Sequence, residues 1–391
     1  MRVMDLRTLP DGLSPSQRAA ERRKRIEAET HRDISLTDDT DDRLGIADEK
    51  NCEQMFGTVP LPVGYAGPLT FTCSSGERTT VHLPLATTEG ALVAGVNRGC
   101  KVLFGTNVHS TSFYHGMSRS IALAVPEKSL QAFIGALEST QGDWYKAAET
   151  TSAHLKIKRH EVDQQDTYVF VTLWCDTDEA MGMNMVTIAA QAAGDWITEH
   201  LHEYSPALIT VAGNVDSDKK PSRRTQEKGR GYEVTAEVLL PKDVVALVLK
   251  TTAVDMKRTA DAKLKVGSSI AGAIGSNLHA ANVIAALYLS TGQDAAHVVE
   301  GSLTDTTVEL RKEGLNIAVR LPAILVGIRG GGTALPAQQQ CLQMLLKEKT
   351  SLHPCAQLAE SIGTAVLAGE VSLLAAQANQ TLAKAHRELG R

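Results

Sequence analysis

The stretch Gly213-Asn214-Val215-Asp216-Ser217-Asp218-Lys219-Lys220-Pro221 limits the fold more than any other part of this 391-residue chain. A β-prone run, Leu208-Ile209-Thr210-Val211, leads into it. Gly213-Asn214 and Pro221 then forbid a continuing strand and an immediate helix, because proline locks φ and supplies no N–H. The pattern predicts a turn-rich loop leaving a buried strand, with an acid and two lysines at its end. Loops braced by a rigid scaffold are common homes for catalytic groups. Taken alone, the stretch reads more simply as a solvated turn, so its meaning depends on what the rest of the chain sets against it.

The flanking pattern places this loop at a junction. From about 121 to 211 the chain alternates strand-like runs (Ile121–Val125, Tyr168–Trp174, Leu208–Val211) with helical ones (Leu130–Glu138, Val186–His202). That alternation suits a small α/β unit with helices on one face. Outside it lie a short strand at Val81–Leu85, a helix at Ala91–Cys100 and a strand at Glu233–Leu240. A helix at Lys242–Met256, a small-residue segment at Gly267–Ser290 and a strand at Asn316–Leu321 follow. Leu358–Leu389 reads as one long Ala-rich helix or two shorter ones. The expected class is α+β. A large helix-rich domain, 46–120 and 212–370, is interrupted by the insert at 121–211. A helical arm at 1–45 precedes it and a C-terminal helix or flap at 371–391 follows. Aromatics are only 4% of residues, so Ala, Val, Leu and Ile must fill the core.

Several function classes are disfavoured. The net charge of −5 gives no global field for nucleic acid, and the basic clusters at 22–25 and 219–224 lack interleaved aromatics. The small-residue apolar run from Ile270 to Ser290 is broken by Asn277, His279 and Asn282, so no membrane segment is expected. No signal-peptide core stands at the N-terminus, which makes the cytoplasm the expected location. Six cysteines without a CxxC pair read as reduced thiols, with no metal site. Gly327–Thr333 is glycine-rich but lacks the GK[ST] ending of a P-loop, and no GxGxxG occurs, so any dinucleotide needs another cradle.

The residues that can carry chemistry each have an ordinary explanation. Thr87 or Thr88 can cap the following helix, which puts Glu89 in its first turn, where an acid gains about 0.3–1 kcal/mol from the dipole. Met181, Met183 and Met185 read as adaptable core packing. Gly182 and Asn184, at a strand-to-helix junction, can instead present free N–H groups to a phosphate. His279 and Asn282 are three apart and share a helical face. Asp294, two residues after Gly292, reads as a cap. His386 reads as a solvated terminal residue or as part of a movable flap.

Together and in this order, seven stretches closely resemble the 3-hydroxy-3-methylglutaryl-coenzyme A (HMG-CoA) reductase family. They are PLPVGYAGPL (60–69), ATTEGALVAGVNRGCK (86–101), EAMGMNM (179–185), GNVDSDKKP (213–221), GSNLHAANV (275–283), GQDAA (292–296) and GGGT (330–333). The resemblance runs from about Ile26 to His386, and the DKKP and EAMGMNM forms look like the eukaryotic and archaeal class. It implies four-electron reduction of (S)-HMG-CoA to (R)-mevalonate and CoA by two NADPH, in the mevalonate route to isoprenoids. It implies a large HMG-CoA-binding domain with an inserted, small ferredoxin-like cofactor-binding domain. It also implies a dimer or tetramer with the active site between subunits.

By the same resemblance Lys219 stabilises the oxyanion and Glu89, with a raised pKa, donates a proton. Asp294 bridges Glu89 and Lys219, and His386 protonates the departing CoA thiolate. Arg119, Lys263 and Asn282 lie near the HMG moiety and His279 beside the catalytic group. Asp218 and Lys220 are further substrate contacts, and Arg98 is a candidate for the CoA phosphates. Ser152, Glu179, Met181, Gly182, Met183, Asn184, Arg329 and Gly330-Gly331-Gly332-Thr333 are expected at the nicotinamide nucleotide.

The chain departs from the family pattern in three places. Glu179 stands where the family usually has Asp, with Asp178 one step earlier. Ala212 replaces a serine that helps hold the substrate carboxylate, which leaves more of that contact to Lys263. Ser152-Ala153 replaces the Ser-Arg pair that reads the NADPH 2′-phosphate, so the required cation must come from Lys156, Lys158, Arg159 or Arg329. NADPH is the expected cofactor, with NADH open. The rival readings are NAD-dependent oxidation of mevalonate and a non-catalytic CoA-binding homologue. Retention of Glu89, Lys219, Asp294 and His386 together speaks against the second.

Overall fold

The structure, a computed structural model, describes residues 8–30, 35, 38–347 and 350–381. His386 and the rest of 382–391 lie outside them. Nine strands occur among the described residues: β1 Val63–Thr72, β2 Arg78–Ala86, β3 Val108–Ala124, β4 Lys156–Gln165, β5 Tyr168–Asp176, β6 Ala207–Thr210, β7 Gly231–Pro241, β8 Asp305–Leu310 and β9 Gly314–Ile324.

The long strand β3 organises them. Its first half, Val108 to Gly116, pairs antiparallel with β7, and its second half, Met117 to Ala124, pairs antiparallel with β5 and, at its end, β6. The change of partner falls at Gly116, at φ 98, where an added Cβ would lie 2.8 Å from the Cys175 carbonyl oxygen. Only glycine lets the two backbones cross so closely in that conformation. One part of the sheet therefore runs β2-β1-β3-β7-β9-β8, and the other runs β6-β3-β5-β4, antiparallel throughout.

Two main hydrophobic cores follow from this split. The larger packs the first part of the sheet against the helices Leu92–Leu103, Ala280–Thr291 and Pro354–Ala378. The smaller packs the second part against Leu130–Ser139, Gln141–Glu149 and Met183–His200. Pro354–Ala378 is long and apolar enough to cross a membrane, but 94% of that apolar stretch is buried inside the protein, where it serves as the central core helix. Two acids on it are wholly buried and satisfied by donors from loops and strands. Glu360 accepts from the Ser74 N–H and the Ser112 hydroxyl. Glu370 accepts from the Leu278 and His279 N–H groups and from Thr306, which fixes the chain entering Ala280–Thr291.

Several expectations are corrected. The strand feeding the lysine loop, β6, is not buried: it is a short edge strand paired only with β3 and largely exposed. The helix expected over Lys242–Met256 breaks into Lys242–Leu247 and Ala253–Ala260, because Lys250 turns to φ 58 and Thr252 caps a new start through the Asp255 N–H. Neither Thr87 nor Thr88 caps the next helix. The Thr87 hydroxyl accepts from the Glu89 N–H, and Ala91, at φ 73, is the N-cap of Leu92–Leu103. Glu89 thus stands in the turn before the helix. His279 is likewise an N-cap, at φ −159, and shares no helical face with Asn282.

Candidate active site

The lysine loop is tethered at its start by the Gly213 N–H, which donates to the Ser120 carbonyl of β3 at 2.8 Å. Asn214, Ser217 and Lys219 then take φ values of 64, 52 and 56. Side-chain-bearing residues rarely adopt that region and hold it only where their surroundings fix it. At Lys219 both ends are held. Its N–H donates to Glu300 Oε1 at 2.7 Å, and its Nζ pairs with Asp294 Oδ2 at 2.7 Å.

Asp294 is placed by close backbone contact. Gly292, at φ 69, lies so near the glycine-rich turn that an added Cβ would sit 2.2 Å from the Gly332 carbonyl oxygen. Gln293 clamps Gly327 from both sides, accepting its N–H and donating to its carbonyl, each at 3.0 Å. The Asp294 carboxylate also accepts from the Ala296 N–H. Burial pushes the Asp294 carboxyl up, but the hydrogen bond from Lys219 and the nearby His297 outweigh it and hold the group below its ordinary range.

Beneath this pair lies a buried charge cluster. Arg230, 1% exposed, donates to Asp218 Oδ1 at 3.0 Å, to Glu300 Oε1 at 2.9 Å, and to the hydroxyl and carbonyl of Ser118. Asp216 lies 3.7 Å from both Arg230 and Arg119. Burial pushes the Asp216 carboxyl up against the pull of the two arginines. Burial also works on Asp218, but the Arg230 guanidinium outweighs it and holds that carboxyl down. His297, fully buried, approaches Glu300 through Nδ1 at 3.3 Å and Asp294 through Nε2 at 3.7 Å. Asp218, His297 and Glu300 bring metal-ligand-type atoms within 4.8 Å of one another, and the Arg230 guanidinium bonds both of their carboxylates. Sequence reasoning missed Arg230, His297 and Glu300. The i, i+3, i+6 spacing of Asp294, His297 and Glu300 was the available signal.

Above the pair opens a cavity of about 610 Å³. Its walls are the Ala180–Met185 turn, Lys219, Asp294 and the Arg329–Thr333 turn. The two turns dock through the Ile328 and Arg329 N–H groups, both donating to the Glu179 carbonyl, and through an ion pair between the Arg329 and Glu179 side chains. Gly182 stands at the N-terminus of the 18-residue helix Met183–His200, so free N–H groups face this space. Met181, Gly182, Met183, Asn184, Arg329 and Gly330 to Thr333 are thus brought together with Lys219 and Asp294 around one cavity.

Ser152 does not line this cavity. Its hydroxyl accepts from the His154 N–H, and the His154 ring bonds Asp178 at 2.9 Å. The alternative cations are also engaged elsewhere. Lys156 pairs with Glu149, Lys158 donates to the Tyr114 carbonyl, and Arg159 stacks on Trp174 at 3.9 Å. Of the four, Arg329 alone borders the cavity.

The substrate candidates are more scattered. Glu89 is exposed and accepts from Asn282 Nδ2 at 2.8 Å. Among the described residues no ion pair joins it to Lys219, so Asp294 forms only the Lys219 half of the expected bridge. The Glu89 turn is held instead by Thr87 and Asn282. Arg98 bonds the hydroxyl and carbonyl of Ser372, and Arg119 faces Asp216 and Asp218. Lys220 donates to the Asp218 carbonyl at 2.9 Å. Lys263 is exposed on the π-helical turn Asp261–Gly267, and the His279 Nε2 is buried without a hydrogen-bond partner among the described residues.

Residues 18–391 match the sequence family described as hydroxymethylglutaryl-coenzyme A reductase. The chain belongs to the hydroxymethylglutaryl-coenzyme A reductase family. The 3-hydroxy-3-methylglutaryl-coenzyme A reductases of Halobacterium salinarum and Methanothermobacter thermautotrophicus are each 40% identical to it, over 87% and 88% of this chain and 84% and 86% of theirs. A Dictyostelium discoideum enzyme of that name is 38% identical over 87% of this chain and 62% of its own. In fold the chain is similar to the class II HMG-CoA reductase of Streptococcus pneumoniae bound to NADPH in open conformations. That likeness has a TM-score of 0.68 and 19% identity over 93% of both chains, and it speaks to the fold. The family read from the seven motifs is thereby borne out, and the chain is an HMG-CoA reductase-family oxidoreductase with a mixed α+β fold.

Proposed function

We propose that this chain reduces the thioester of HMG-CoA to mevalonate and CoA, with NADPH, where Lys219 meets Asp294. The observation that carries this reading is the ion pair itself: a fixed lysine and its aspartate on the wall of a cavity otherwise built from glycine-rich turns and a helix N-terminus. Those free N–H groups, with Arg329 at the rim, suit the phosphates of a nicotinamide nucleotide. NADPH, when bound in two successive rounds, supplies the two hydrides that reduction of a thioester to an alcohol needs.

Reduction of a thioester carbonyl develops negative charge on oxygen, and a pre-placed cation stabilises it without reorganising at the moment of reaction. In this reading the Lys219 ammonium is that cation, and Asp294, held ionised, pairs with it and keeps it aimed. Glu89, oriented by Asn282, donates the proton to the reduced oxygen. Glu89 and Lys219 do not pair within one chain, which favours a dimer or tetramer whose subunits together complete the site. His386 protonates the CoA thiolate, an imidazole being matched to a thiol at neutral pH. Arg329 is the assigned partner of the NADPH 2′-phosphate, in place of the missing arginine at Ala153. The unit at 121–211, with sheet order β6-β3-β5-β4 and its helices, is read as the ferredoxin-like cofactor domain. The remainder is read as the HMG-CoA domain, working in the cytoplasm.

The test is nicotinamide oxidation by the full chain with HMG-CoA, using NADPH and NADH in parallel. HMG-CoA-dependent turnover with the higher kcat/KM for NADPH is expected. Turnover with neither cofactor overturns the reading. A clear preference for NADH removes the role given to Arg329, and efficient NAD-dependent oxidation of mevalonate would reverse the direction assigned.

A further inference from the structure

Glu300 is wholly buried, and a buried carboxylate is costly unless donors surround it. Three donors converge on its Oε1: the Lys219 N–H at 2.7 Å, Arg230 Nη1 at 2.9 Å and His297 Nδ1 at 3.3 Å. Glu300 also reaches across the molecule to the backbone of Lys219, the residue held at φ 56 whose ammonium pairs with Asp294. Through His297, whose Nε2 lies 3.7 Å from Asp294 Oδ2, the same carboxylate is linked to the other member of that pair.

We propose that Glu300 is a positioning residue of the reductase site, setting Lys219 and Asp294 in register through the Lys219 N–H, Arg230 and His297. This role rests on Lys219 being the oxyanion partner proposed above. A backbone fixed in the left-handed region aims its side chain in one direction, and releasing the N–H lets the residue relax to a commoner conformation that turns the ammonium away. Small displacements of a catalytic group lower the rate while leaving substrate affinity nearly unchanged. Among the described residues no hydrogen bond joins Glu300 directly to the glycine-rich turns that line the cavity, and its path to the cavity wall runs through Arg230, which also donates to Met183 Sδ at 3.0 Å.

The experiment is a double-mutant cycle in the full chain with Glu300→Gln, Lys219→Ala and the pair, with folding followed by circular dichroism. Glu300→Gln keeps the shape and one acceptor but removes the charge. It is expected to lower kcat with HMG-CoA about tenfold or more, with KM for NADPH changed less than about twofold. In the Lys219→Ala background the same change should lower kcat no further, because groups that act as one unit are not additive. Equal losses in both backgrounds, or an unchanged kcat in Glu300→Gln beside a crippled Lys219→Ala, overturn the positioning role alone. A near-normal kcat in Lys219→Ala overturns the reading of the site and this role with it. If Glu300→Gln does not fold, His297→Gln replaces it. That change cuts the link to Asp294 while leaving the Arg230 and Lys219 bonds, and an unchanged kcat there overturns the proposal.

Discussion

Replacing Arg230 by methionine tests how the catalytic loop is held up. Methionine fills similar space, but the change removes five hydrogen bonds, to Ser118 Oγ, the Ser118 carbonyl, Met183 Sδ, Asp218 and Glu300. It leaves Glu300 and Asp216 as buried acids short of a cation. Breaking a buried ion pair from one side costs about 3–5 kcal/mol, because the stranded charge loses its compensation. Unfolding entropy near 2.1 cal/mol/K per residue turns this into a Tm lower by roughly 4–6 °C for a chain of this length.

The pH dependence has a definite sign. Asp216 has its folded pKa raised by burial, so its protonation favours the fold at low pH and that help is lost as pH rises through the folded value. Removing Arg230 raises it further. Asp218 is held low chiefly by Arg230, against burial, so in the parent its ionised form adds stability above the unfolded pKa, lost as pH falls through the folded one. The variant lacks that contribution from the start. Both effects make the deficit largest at neutral pH and smaller as the acid carboxylate range is entered. Thermal unfolding of parent and variant by circular dichroism, at pH 7 and about pH 3.5, measures it. A drop below about 1 °C, or one equal at both pH values, would refute the reasoning.

Two further outcomes follow from the site. Gly292→Ala would drive a methyl group to 2.2 Å from the Gly332 carbonyl, so the Asp294 loop and the glycine-rich turn must part. NADPH titration should show binding at least several-fold weaker, and an unchanged Kd contradicts the packing argument. His386→Gln should slow the CoA-releasing half of the reaction while largely sparing reduction of free mevaldehyde. Equal losses with both substrates would remove His386 from the thiolate-protonating role.

What the sequence made legible was the order of its motifs. The lysine loop, the Gly182 junction and the GGGT turn are contiguous stretches, and each keeps its local character in the fold. The supporting cluster was not legible, since Arg230 meets Glu300 across 70 residues and no local pattern announces such a pair. The polar strand β4 escaped notice because its Lys, His, Glu and Gln side chains are half-exposed and carry no apolar alternation. The buried β6 was expected from its composition, yet edge position, not residue type, decides its exposure. Glu89 was expected in a helix because Thr-Thr-Glu suits a cap, but the Thr87 hydroxyl was taken by a turn.

The central claim is that a reductase site is built on the Lys219–Asp294 pair, and the kcat of Lys219→Ala with HMG-CoA and NADPH tests it most directly. Lys219 projects into the cavity with an exposed side chain, so its removal should leave the circular dichroism spectrum and Tm close to those of the parent. The expected kcat is lower by about two to three orders of magnitude or more, as befits loss of the group that meets the oxyanion. A folded variant with near-parental kcat would contradict it.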